Sequence, residues 1–143
     1  MLKRKVYQEL LKWKENTEGK ALCIIGARQI GKTTLIRKFG KNEYEHFAEI
    51  NFVTDEKAAD IFKDKLTAEA IITNLTAYLQ TPLEPGKTLI LFDEVQECPA
   101  VRSAIKFLVE DGRFDYIESG SLLGVRYKEV RSYPVGFEQI LPM

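Results

Sequence analysis

The most informative stretch of this 143-residue chain is Gly26-Ala27-Arg28-Gln29-Ile30-Gly31-Lys32-Thr33-Thr34. Its spacing is G-x-x-x-x-G-K-[ST], in which a loop hinged by glycines points backbone N–H groups at a polyphosphate. An apolar run at residues 21–25 precedes the loop and a helical pattern follows it, which is the context that such a loop requires. We therefore expect all nine residues to bind the phosphates of a nucleotide.

Two side chains of this loop carry specific chemistry. Lys32 adds a full positive charge near the outer phosphates, and the helix that begins near Gly31 directs its unpaired N–H groups at the same anion. The hydroxyl of Thr33 is a ligand for Mg²⁺. The alternative is a glycine-rich turn between a core strand and a surface helix, which would require all four matching positions to arise by chance.

A second motif follows the apolar run at residues 88–92, where the chain continues with Asp93-Glu94. An acid at the end of a buried strand is costly unless it is paired or serves a cation, so we expect Asp93 to hold Mg²⁺ through its water shell. Glu94 can then orient the attacking water or accept its proton, which is a catalytic role. The alternative is a solvated strand end with an acid at a helix N-terminus.

Two serines follow another strand, in the sequence Ser119-Gly120-Ser121. Either hydroxyl could hydrogen-bond the terminal phosphate or the attacking water, and both are catalytic candidates together with Lys32 and Glu94. A plain turn is the alternative for this segment.

The rest of the chain alternates apolar strands with amphipathic helices. Periodicity predicts helices over residues 2–13, 32–40, 55–80 with an interruption near 63–67, and from Pro99 to a cap at Gly112. It predicts strands over residues 21–25, 46–53, 88–92, 115–118 and one that begins at 134, while 122–131 stay ambiguous. Such βαβ alternation indicates a parallel sheet whose carboxyl edge binds the ligand.

Composition limits the class of protein. The length suits one domain. Because 21 basic residues balance 21 acidic ones, a nucleic-acid partner is not indicated, although a local basic patch could still bind one. Cys23, Cys98 and the single His46 cannot form a zinc cluster. The first residues lack the uninterrupted apolar core of a signal peptide, and no apolar run approaches membrane-spanning length, so we expect a cytoplasmic protein.

Taken together, the segments 26–34, 89–96 and 118–123 resemble the P-loop ATPases of the AAA type, which have a catalytic glutamate. With 134–138, they more narrowly resemble a prokaryotic AAA-type ATPase family whose members usually carry a further C-terminal domain of unknown function. The resemblance implies a three-layer α/β core with a mostly parallel sheet in the order 5-1-4-3-2. It also implies that ATP and Mg²⁺ bind at the carboxyl edge of that sheet.

Members of that family continue well past the position of Met143. We therefore interpret residues 1–143 as one P-loop ATPase domain that is truncated at its C-terminal end. The family's nucleotide-sensing arginine is not assigned, and Arg28, Arg126 and Arg131 are candidates, although Arg28 could simply brace the loop.

The leading functional hypothesis is Mg²⁺-dependent ATP hydrolysis coupled to a conformational change in a regulatory or partner-binding protein. We expect ATP or ADP as ligands, and a protein partner or a homo-oligomer in the full-length form. One alternative is a small-molecule kinase, which would need a lid with several arginines and an acceptor pocket. A nucleotide-gated binding module with little turnover is the other. A GTPase is disfavoured because the chain has no Asn-Lys-x-Asp element.

Overall fold

The computed structural model describes residues 2–15, 20–26, 31–63, 66–121 and 138–142, with 2–3, 25–26, 121 and 138–142 described by their backbone alone. The helices are α1 (Leu2–Glu15), α2 (Lys32–Glu43), α3 (Ala68–Leu79) and α4 (Pro99–Asp111). The strands are β1 (Ala21–Gly26), β2 (His46–Asn51), β3 (Thr88–Asp93), β4 (Asp115–Ser121) and β5 (Glu138–Pro142). Two 3₁₀-helices span Glu56–Phe62 and Val95–Glu97.

The five strands form one sheet in the order β2-β3-β4-β1-β5, and all four pairs of neighbouring strands are parallel. Read from the other edge this order is 5-1-4-3-2, which confirms the predicted arrangement. The register places Asn51 beside Asp93, and Ser119 between Asp93 and Ile24. Three neighbouring strands therefore present polar residues side by side at the carboxyl edge of the sheet.

Helices cover both faces of the sheet. Successive residues of a strand point to opposite sides, so alternate residues of each strand belong to different cores. On one face α1 and α2 bury a core with alternate residues of β1, β3 and β4, among them Leu22, Ile24, Leu89, Leu91 and Ile117. On the other face α3, α4 and the first 3₁₀-helix pack on Ala48, Ile50, Ile90, Phe92 and Tyr116. The fold is thus the predicted three-layer α/β core.

The ends of three helices follow from local sequence. The N-cap of α3 is Thr67, whose hydroxyl accepts a hydrogen bond from the backbone N–H of Ala70 at 3.2 Å. Pro99 occupies the first position of α4. Gly112 ends α4 with a φ of 75°, a left-handed conformation that glycine adopts without steric cost.

The prediction that α2 ends at Gly40 is wrong, because the helix continues to Glu43. Gly40 lies buried inside it, and a Cβ at this position would overlap the ring of Phe47 on β2. Glycine in a helix interior costs about 1 kcal/mol relative to alanine. Here it is required by the close approach of a side chain on the following strand, β2, so the helical pattern alone could not distinguish it from a C-terminal cap.

Other predicted boundaries also need correction. Strand β2 ends at Asn51 rather than at Val53, and residues 56–62 form a 3₁₀-helix rather than the first part of an α-helix. Strand β4 extends beyond Glu118 to Ser121, because it stays paired with β1 as far as Gly26. The ambiguous segment 122–131 and the predicted strand start at 134 lie outside the described residues.

Candidate active site

The candidate site forms where the N-terminus of α2 meets the carboxyl ends of β1, β3 and β4. Gly31 precedes α2 with a φ of 122°, a value that L side chains rarely adopt, and its carbonyl accepts the N–H of Leu35 at 2.8 Å. Helix α2 then begins at Lys32. Because the first N–H groups of a helix have no partner within it, this end of α2 favours an anion.

Lys32 is buried, with 5% of its surface exposed. Its ammonium Nζ donates a hydrogen bond of 2.8 Å to the carbonyl of Gly120 near the end of β4. An ammonium group has three donors, so it can bond more than one oxygen acceptor at a time. The structure thus fixes the charge of Lys32 between the start of α2 and the end of β4.

Asp93 ends β3 and accepts hydrogen bonds from three directions. The hydroxyl of Thr33 donates to Oδ2 at 3.1 Å, and the backbone N–H of Glu94 donates to Oδ1 at 2.9 Å. The amide Nδ2 of Asn51 lies 3.5 Å from the same Oδ2. The two side chains proposed as metal ligands from sequence, Thr33 and Asp93, are therefore in direct contact although 60 positions separate them.

Burial raises the pKa of the Asp93 carboxyl above its ordinary value, because removing a carboxylate from water penalises its charged form. The hydrogen bond from Thr33 lowers this pKa, and so do the N–H of Glu94 and the charge of Lys32. The negative charge of Glu94 raises it further. A cation at this position would relieve both unfavourable contributions.

Glu94 is half-buried and adopts φ 58° and ψ 48°, the left-handed conformation. Few non-glycine residues adopt it, and such residues concentrate at functional sites. The conformation separates β3 from the 3₁₀-helix that starts at Val95, so the chain turns immediately after Asp93. Adjacent acids thus differ in backbone conformation, and only Asp93 lies in the strand.

Ser119 is fully buried, and its hydroxyl has no hydrogen-bond partner within the part of the chain that the structure describes. It neighbours Asp93 in the sheet register. The structure gives only the backbone of Ser121, which ends β4. Several predicted residues, namely Ala27, Arg28, Gln29, Ile30, Arg126 and Arg131, lie outside the described residues.

Sequence reasoning missed a groove of about 760 Å³ between α1 and α2. One end opens beside two residues of the phosphate loop, Gly31 and Thr34. The other lining residues are Arg4, Tyr7, Gln8, Leu11, Leu35, Lys38 and Asn42. The sequence contained no local signal for this groove, since it depends on how two separate helices pack.

Within the groove, Tyr7 is fixed by several contacts. Its hydroxyl donates to Glu43 Oε2 at 3.1 Å and accepts from Asn42 Nδ2 at 3.3 Å. Its ring packs edge-on against Phe39 with 5.8 Å between centroids. These contacts therefore hold Tyr7 in place where it lines the groove.

Two further observations limit the chemistry. The described residues contain no group of three or more His, Cys, Asp or Glu side chains that could hold a metal ion on their own. Mg²⁺ commonly binds through one or two protein oxygens and keeps several waters, so Thr33 and Asp93 suit it. None of the four described helices has the length and apolar character of a membrane-spanning segment.

Comparison with solved structures shows the same fold in other proteins. The chain is similar to RuvB T158V of Thermotoga maritima, with 20% identity and a TM-score of 0.56 over 97% of this chain and 43% of that one. It is similar to C. elegans PCH-2, with 13% identity and a TM-score of 0.56 over 99% of this chain and 42% of that one. For a chain of Drosophila ORC bound to DNA the values are 10% and 0.56, over 98% and 88%.

The chain thus spans less than half the length of the RuvB and PCH-2 chains. At these identities the likeness establishes the fold alone. No curated protein sequence matches the chain. The family model described as AAA domain matches residues 18–143, which include the phosphate loop, Asp93-Glu94 and both serines. The protein therefore belongs to the AAA domain family and is an AAA-type ATPase domain.

Proposed function

We propose that this domain binds ATP with Mg²⁺ and hydrolyses it, and that hydrolysis drives a conformational change in a larger regulatory or partner-binding protein. One observation carries the proposal: the start of α2 brings Lys32 and Thr33 together with Asp93 at the carboxyl edge of a parallel sheet. Membership of the AAA domain family supports it. The protein partner or homo-oligomer is part of the same proposal.

Thr33 and Asp93 would hold the magnesium, since a hydroxyl and a carboxylate in contact form the oxygen donor set that it prefers. When bound, Mg²⁺ offsets the negative charge of the outer phosphates. Lys32 lies buried at the start of α2, where its charge favours the same phosphates. The residues 26–34 would surround the polyphosphate with backbone N–H groups.

In the proposed reaction, water attacks the terminal phosphorus and the bond to the bridging oxygen breaks, which releases phosphate and ADP. Glu94 accepts the proton that the attacking water loses. The left-handed backbone at Glu94 separates this acid from the metal-binding strand position of Asp93. Ser119, whose buried hydroxyl neighbours Asp93 in register, is proposed to hydrogen-bond the terminal phosphate or the water, and Ser121 is the second candidate.

The matched variants Glu94→Gln and Glu97→Gln test this reaction. Glu97 is exposed on the same short segment and has no proposed role. General-base catalysis contributes about 10²- to 10⁴-fold, so Glu94→Gln should reduce phosphate release by that order while ATP binding persists. Glu97→Gln should release phosphate at the rate of the unaltered chain.

Phosphate release and nucleotide affinity measured on the same samples distinguish the alternatives. Unaltered turnover in Glu94→Gln would exclude Glu94 as the base. Binding without measurable turnover in the unaltered chain would favour the nucleotide-gated module. Turnover that depends on an added phosphate acceptor would favour the kinase.

We further propose that the α1–α2 groove receives the nucleoside part of ATP. The groove adjoins Gly31 and Thr34, and Leu11 and Leu35 supply apolar surface for a base. Replacing Leu11 with alanine removes part of that surface, which is worth about 1 kcal/mol or roughly fivefold in ATP affinity. Calorimetry with inorganic tripolyphosphate is the control, because it lacks the nucleoside and its affinity should not change. Equal losses for both ligands would contradict the assignment.

A further inference from the structure

Asn51 is a polar residue at the site that sequence reasoning did not single out. It is the last residue of β2 and neighbours Asp93 in the sheet register. Ala48 and Ile50 of the same strand face the core formed by α3 and α4, so alternation directs Asn51 to the side of α2. Its Nδ2 lies 3.5 Å from Asp93 Oδ2, the oxygen that accepts the hydroxyl of Thr33.

The orientation of the Asn51 amide is determined by the turn that follows β2. Its Oδ1 accepts hydrogen bonds from the backbone N–H groups of Val53 at 2.8 Å and Thr54 at 3.1 Å. Two N–H donors require an oxygen, so the amide nitrogen must be the group that faces Asp93. The turn thus holds a neutral donor next to the carboxylate.

We propose that Asn51 is a positioning residue for the carboxylate of Asp93 and, through it, for Mg²⁺. The inference rests on the proposed function, because it assumes that Asp93 serves the metal. Residues that hydrogen-bond a metal ligand fix its orientation, and their loss typically costs about 10- to 100-fold in metal affinity. The contact here is long, so we expect an effect near the lower end of this range.

The test measures the affinity for a non-hydrolysable ATP analogue with Mg²⁺ and again with EDTA. We call the ratio of the two affinities the magnesium gain. Asn51→Ala should reduce this gain about tenfold and leave the affinity in EDTA unchanged, because Asn51 acts on the metal ligand rather than on the nucleotide. A general loss of structure would lower both affinities.

Two further variants separate the carboxylate contact from the turn. Asn51→Ser keeps an oxygen that can accept the turn N–H groups but cannot reach Asp93, so it should reduce the gain as Asn51→Ala does. Asn74→Ala is the matched control. Asn74 lies on α3, in the opposite layer, and its side chain donates a hydrogen bond of 3.3 Å to the carbonyl of Ile61. It should retain the gain.

A normal magnesium gain in Asn51→Ala, or its restoration in Asn51→Ser, would overturn the inference. Absence of any gain in the unaltered chain would instead contradict the proposed function, and the inference with it. Reduced gain in both Asn51 variants with normal gain in Asn74→Ala is the result that the structure predicts. Thermal melting of each variant establishes that the folded protein is being compared.

Discussion

Two aspartates with similar neighbours lie at opposite ends of the sheet, and helix α2 runs between them. Asp93 ends β3 and accepts a hydrogen bond from the hydroxyl of Thr33, in the first turn of α2. Asp115 begins β4 and accepts one of 2.5 Å from the hydroxyl of Tyr44, the residue that follows α2. Burial raises the pKa of both carboxyls.

A lysine also acts on each of them. The charge of Lys32 lowers the pKa of Asp93, and that of Lys14 lowers the pKa of Asp115. Each aspartate is therefore accompanied by a hydroxyl and an ammonium, although Asp93 is buried and Asp115 only half-buried. By these features alone, both ends of the sheet would qualify as functional sites.

The difference lies in the end of α2 that each aspartate meets. The N-terminus of a helix carries partial positive charge and unpaired N–H groups, whereas its C-terminus carries partial negative charge. Only Asp93 adjoins the N-terminus, and only Asp93 lies at the carboxyl edge, where parallel sheets bind ligands. A raised pKa and a hydroxyl partner therefore do not identify a nucleotide site, whereas the position in the fold does.

The largest expected difference in ATP affinity is between substitutions of the two lysines. Lys32→Ala should weaken ATP binding roughly 10- to 100-fold, because a hydrogen bond to a charged group is worth about 1.5 to 3 kcal/mol. Lys14→Ala makes the same change at the other aspartate and should leave ATP affinity unaltered. Isothermal titration calorimetry measures both. Equal effects of the two substitutions would remove the distinction between the two ends of α2.

A smaller effect concerns stability against pH. The folded-state pKa of Asp115 is raised above its ordinary value of 3.8, so folding favours the protonated carboxyl. The folded chain then binds more protons than the unfolded chain between these two values. The contribution of Asp115 to stability therefore falls as pH rises through that window.

Asp115→Asn should remove this dependence, since asparagine does not ionise but can still accept the hydrogen bond from Tyr44. Urea unfolding of both proteins between pH 3.5 and roughly 6.5 gives the difference in unfolding free energy. Relative to the variant, the unaltered chain should lose stability with rising pH. A difference that stays constant or increases would show that burial does not dominate at Asp115.

Much of the fold was predictable because its signals are local. The phosphate loop has fixed spacing, and the apolar runs of β1 and β3 indicate parallel strands that are covered on both faces. The N-cap of α3 and the C-cap of α4 are adjacent in sequence to the helices that they cap. The predicted sheet order followed from the family resemblance and is confirmed.

The remaining features depend on contacts between separate helices and strands. Gly40 resembled a helix end in the sequence. Glycine is needed there because the ring of Phe47, on strand β2, leaves no space for a Cβ. Asn51 gave no signal because its role depends on the register of β2 with β3. The α1–α2 groove was missed for the same reason, because it depends on how two separate helices pack. Where a site is formed by tertiary packing, the sequence pattern predicts few of its residues.

The most direct test compares the two aspartates by the magnesium gain defined above. Asp93→Asn removes the proposed metal ligand and should lower the gain by at least about tenfold, whereas Asp115→Asn should retain it. Both substitutions neutralise a carboxyl that a hydroxyl contacts, so a general effect of the mutation would be shared. A normal gain in Asp93→Asn, or an equal loss in Asp115→Asn, would contradict the assignment of the nucleotide site to the carboxyl edge.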